Sequence, residues 1–104
     1  MTLAETRFHE IAAQLPEAVK GKMFGALCLK APNGKAALMV WHGFMIFKLD
    51  KPALNEALSL DGAQLFTPME GRPMNGWVQL DASHADRWES LAGEAFAYVR
   101  TLEK

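Results

Sequence analysis

The stretch KAALMVWHGFMIFKLD, from Lys35 to Asp50, restricts this chain more than any other part of it. Two apolar runs flank His42 and Gly43, and glycine supplies the positive φ that a two-residue hairpin loop requires. The spacing predicts a β-hairpin with Trp41 opposite Phe44. Because strand side chains alternate, Leu38, Val40, Met45, Phe47 and Leu49 share one face, and Ala37, Met39, Trp41, Phe44, Ile46 and Lys48 share the other. The first set is wholly apolar and calls for a layer of helices. The second is nearly as apolar, so it needs cover from this chain or from a partner.

The flanking sequence offers such helices. Thr2 followed by Glu5 forms a capping box, and Ala4, Phe8, Ile11 and Leu15 recur at helical spacing up to Pro16. FGALCLK, within Met23 to Lys30, alternates as a strand, with Phe24, Ala26 and Cys28 on one face and Leu27 and Leu29 on the other, and Pro32, Asn33 and Gly34 turn the chain after it. Asp50 caps a short helix with Pro52 in its first turn and Ala53, Leu54, Ala57 and Leu58 as its buried stripe. Ala63 to Phe66 reads as a short extended piece, and Met74 or Trp77 to Leu80 as a return strand. Ser83 with Asp86 reads as the cap and acidic first turn of a long last helix, on which Trp88, Leu91, Ala95, Phe96, Val99 and Leu102 are periodic. Strands joined by tight turns, with helices at the ends, give an α+β fold: an antiparallel sheet of four to five strands, an N-terminal helix, a short middle helix and a long C-terminal helix.

A chain of 104 residues supports one hydrophobic core, so residues 1–104 form one domain. It is 50% apolar and 22% charged, with a net charge of -1, which excludes disorder and bulk-charge binding to duplex nucleic acid. The N-terminus has no apolar leader, and the longest apolar run, Ala36 to Trp41, is too short to cross a bilayer. One cysteine cannot make an internal disulfide, so the cytoplasm is the expected compartment.

Three segments together carry a family likeness: KMFGALCLK, AALMVWHGFMIFKLD and FTPMEGRPMNGWVQLD. The chain resembles the N-terminal domain of the TfoX/Sxy competence regulators. Met23, Phe24 and Gly25 match that family's MFG start, Gly71 and Arg72 its GR turn, and Trp77 its aromatic in the following strand. The resemblance implies a small α+β domain with no known cofactor or reaction, linked in its better-studied members to control of competence genes. Those regulators carry a second, helical domain after this one. With none before the end at Lys104, a stand-alone member is expected.

No catalytic, cofactor or metal motif stands out. Gly71 permits a turn, Pro73 stiffens it, and Arg72 is a solvated charge or an anion contact. The spacing is not that of a P-loop. Cys28 falls mid-strand as a small hydrophobe, His9, His42 and His84 lack the spacing of a zinc site, and the methionines read as core filler. From Ala18 to Lys51, six lysines face the single acid Asp50, a local charge of +5 that leaves -6 for the rest. Together these features predict a non-enzymatic interaction or regulatory module, a homodimer or the binder of another protein. Trp41, Phe44, Lys30, Lys48, Arg72 and Trp77 are its candidate contacts. Two alternatives remain: single-stranded nucleic acid, tracked by lysines and stacked on aromatics, or a small ligand or substrate at the Gly71–Arg72 loop.

Overall fold

The computed structural model describes residues 3–15, 17–23, 25–67 and 76–102. Their order is α1 (Leu3–Gln14), β1 (Val19–Met23), β2 (Ala26–Lys30), β3 (Ala36–Trp41), β4 (Phe44–Lys48), α2 (Lys51–Leu58), β5 (Gln64–Leu65), β6 (Trp77–Leu80), a 3-10 turn (Ala82–His84) and α3 (Ala85–Val99). The six strands make one antiparallel sheet in the order β1-β2-β3-β4-β6-β5. This is the α+β class expected, with more strands than the four to five expected. No helix among the described residues is long and apolar enough to cross a membrane.

The β3–β4 hairpin has the predicted register, Trp41 opposite Phe44 and Leu38 opposite Phe47. His42 at φ 48° and Gly43 at φ 86° both lie in the left-handed region, the signature of a tight type I′ loop. Leu38, Val40, Met45, Phe47 and Leu49 sit in one core with Phe8 and Ile11 of α1, Ala57 of α2, and Trp88, Ala92, Phe96 and Val99 of α3. All three helices therefore lie on one side of the sheet. The other side carries a smaller cluster of Cys28, Met39, Ile46, Phe66 and Trp77, with Ala26, Ala36, Trp41 and Phe44 packed against it.

Several local expectations are corrected. The strand expected to start at Met23 starts at Ala26, because Gly25 takes φ 75° in a turn and the residues before it form the separate strand β1. Ala37 belongs with the helix-side core, since the register between β2 and β3 shifts at Leu29/Lys30 and makes it the extra residue of a bulge. Asp50 does cap α2, accepting from the Ala53 amide at 3.4 Å. Ser83 does not cap α3. Asp81 instead accepts from the Ser83 amide and hydroxyl to start the 3-10 turn, and those bonds hold its carboxyl below the usual range. The last helix stops at Val99. Asn33 closes it, donating to the carbonyls of Val99 and Leu102 at 2.8 Å each.

Candidate functional site

Two glycines decide where the lysines of the second face lie. A Cβ at Gly21 would sit 3.3 Å from Cε of Lys30, and one at Gly76 would sit 2.8 Å from Nζ of Lys48. Each glycine therefore leaves a gap along which a lysine stem runs. Gly76, at φ 87°, also makes a turn into β6 that side chains resist. Lys48 Nζ lies 5.8 Å from the centre of the Trp77 ring, within cation–π range.

Around that pair opens a concavity of about 400 Å³ whose described lining includes Lys22, Lys30, Lys35, Lys48, Trp77 and Leu102. It is fed by β1, by β2, by the turn before β3, by β4 and β6, and by the end of α3. No acid is among its described lining residues. Lys22, Lys30 and Lys35 make no ion pair among the described residues, whose salt bridges are Arg7–Glu10 and Arg100–Glu17. Like charges gathered on a concave surface, as those of Lys22, Lys30 and Lys35 are, raise its potential and draw anions to it.

The aromatic candidates are placed differently from the lysines. Trp77 is only 6% exposed, and Phe66 is fully buried. Trp41 and Phe44 are half-buried, and Phe66 meets the Trp41 ring edge-on at 5.4 Å between centroids. The chain itself thus supplies part of the cover that the second face needs. The large hydrophobic side chains exposed among the described residues are Leu3 and Val19. Arg72 and Gly71 lie outside the described residues, as do Met69 and Met74.

Cys28 is buried, and desolvation pushes its thiol pKa up, with the charge of Lys30 as a smaller opposing effect. A disulfide-exchange reagent is expected to leave it unlabelled in the folded protein and to label it on denaturation. Rapid native labelling would show that the second cluster opens readily. His84 donates from Nε2 to the Asp61 carbonyl at 2.6 Å, and Nδ1 of His9 accepts from Lys20 at 3.0 Å. Among the described residues no three His, Cys, Asp or Glu side chains gather as a metal ion would require.

Of the six candidate contacts, Lys30, Lys48 and Trp77 line this concavity, whereas Trp41 and Phe44 are not among its described lining residues. The sequence pattern missed β1 and the role of Phe66. The only hint of β1 was Val19 and Met23 spaced evenly about Gly21. No family model, curated protein or solved structure matches the chain.

Proposed function

We propose that this protein is a non-enzymatic interaction module that receives an acidic partner on the lysine-bearing end of its sheet. One observation carries this: Lys22, Lys30, Lys35 and Lys48 converge on a single concavity that has no acid among its described lining residues. Acidic protein surfaces suit such a site, because complementary charge steers encounter and fixes orientation. Another copy of this chain qualifies. Its α2–α3 side carries Glu56 and Glu94, with Asp86 and Glu89 further along. Pairing of unlike surfaces would be head-to-tail rather than two-fold. The likeness to TfoX/Sxy N-terminal domains fits a regulatory module of this kind, and a single buried thiol suits the cytoplasm.

Single-stranded nucleic acid is the second reading, and the same lysines favour it. The aromatics favour it less, since Trp77 and Phe66 are buried and the half-buried Trp41 already packs edge-on against His42 and Phe66. Titration with poly-glutamate at low salt is expected to change the tryptophan emission as Lys48 leaves the Trp77 ring, and the change should fade with added salt. Lys30→Glu with Lys48→Glu is expected to weaken that binding by about tenfold or more. An unchanged affinity in this double variant defeats the proposal. Tighter, base-dependent binding of an oligonucleotide favours the second reading instead.

A further inference from the structure

The two edges of the sheet are unequal. One ends in β5, only two residues long, whereas the other is β1, five residues that pair on one side alone, with β2. An edge strand presents unpaired backbone N–H and C=O groups that can template another strand. β1 reads VKGKM, so it alternates lysine with small or apolar residues. Lys20 and Lys22 point to one face. On the other, Val19 is 54% exposed, and Gly21 leaves the gap in which the Lys30 stem lies. Cations therefore flank this edge above and below.

That arrangement discriminates between occupants. A second β1 paired antiparallel about Gly21 would set Lys20 against Lys22 twice, and like charges directly opposed oppose pairing. An acidic strand meets the reverse situation. We infer that β1 accepts an extended acidic segment of a partner protein as an added strand. The inference rests on the proposal that this chain receives an acidic partner, and it specifies the partner's form. Lys20 and Lys22 point to the helix side, where Lys20 also donates to His9, and Lys22 is the residue through which this edge joins the concavity. Backbone bonds to β1 supply affinity, and side chains supply the selection. Alternate residues of the segment, those on the Lys20 and Lys22 face, are Glu or Asp. The residues between them are β-branched, lying beside Val19 and the Gly21 gap.

The probe is a short acetylated peptide of alternating Glu and Val, compared with the same peptide N-methylated on the amides of one edge or the other. Strand addition predicts that hydrogen exchange of β1 slows on binding, and that methylation of one edge abolishes binding while methylation of the other does not. Lys20→Glu with Lys22→Glu is expected to lower affinity for this peptide by about tenfold and to admit an alternating Lys and Val peptide in its place. Circular dichroism of the variant checks its fold, and the N-methyl comparison needs no variant. Equal binding of all the Glu peptides, with β1 exchange unchanged, overturns strand addition while leaving the acidic-partner proposal standing. Absence of binding by both this peptide and poly-glutamate at low salt removes both.

Discussion

Trp88→Ala is expected to cost roughly 3–5 kcal/mol of stability, a large part of the roughly 5–15 kcal/mol that holds a domain together. Trp88 is fully buried in the helix-side core, on α3 where that helix passes α1. Beside it is a cleft of about 90 Å³ edged by Arg7, Glu10, Asp86 and Glu89. Truncation removes the largest side chain of the core and leaves a void that a six-stranded sheet cannot collapse to fill. Trp88→Phe is a different experiment. The indole Nε1 is buried without a hydrogen-bond partner among the described residues, so deleting it loses no bond and relieves a desolvation cost of about 1–3 kcal/mol. That relief offsets much of the apolar area lost with the second ring. Denaturant titration followed by circular dichroism should therefore place Trp88→Phe close to the parent and Trp88→Ala far below it. If phenylalanine proved as damaging as alanine, Nε1 would have to be bonded in solution.

The hairpin was legible because its two determinants are local. Period-two alternation and a His-Gly loop need no knowledge of the rest of the chain, and both appear in the structure at the expected residues. β1 was not legible because an edge strand is only half in the protein. With glycine at its centre, VKGKM keeps only Val19 and Met23 as apolar marks of its alternation, and what fixes it as a strand is its pairing with β2. The end of α3 failed for another reason. Leu102 continues the helical period, yet Asn33 takes the carbonyls of Val99 and Leu102 from 66 and 69 residues away. No window along the sequence contains both partners.

The site shows the same division. The lysine excess between Ala18 and Lys51 can be counted in the sequence, but convergence on one concavity depends on Gly21 and Gly76 giving Lys30 and Lys48 room to lie flat. Glycine in a sequence signals a turn far more readily than a berth for a distant side chain. Charge was visible, and its geometry was not.

Phe66→Ala tests the least legible feature of all, the self-made cover of the second face. Phe66 follows a two-residue strand, donates its amide to the Trp77 carbonyl at 2.9 Å, and is completely buried with its ring against Trp41. Removing a buried phenylalanine is expected to cost about 3–5 kcal/mol. A second consequence separates this site from an ordinary core position. Trp41 and Phe44, half-buried in the parent, lose a neighbour and turn part of their ring surface to water. Exposed aromatic patches of that kind associate. The variant is expected to show a red-shifted tryptophan emission and a sedimentation coefficient that rises with concentration, while Phe66→Leu retains the cover and neither effect appears. Should Phe66→Ala sediment and emit like the parent, Phe66 is not what shields Trp41. The apolar second face would then again require a partner, and aromatic contact rather than lysine charge would be the basis of recognition.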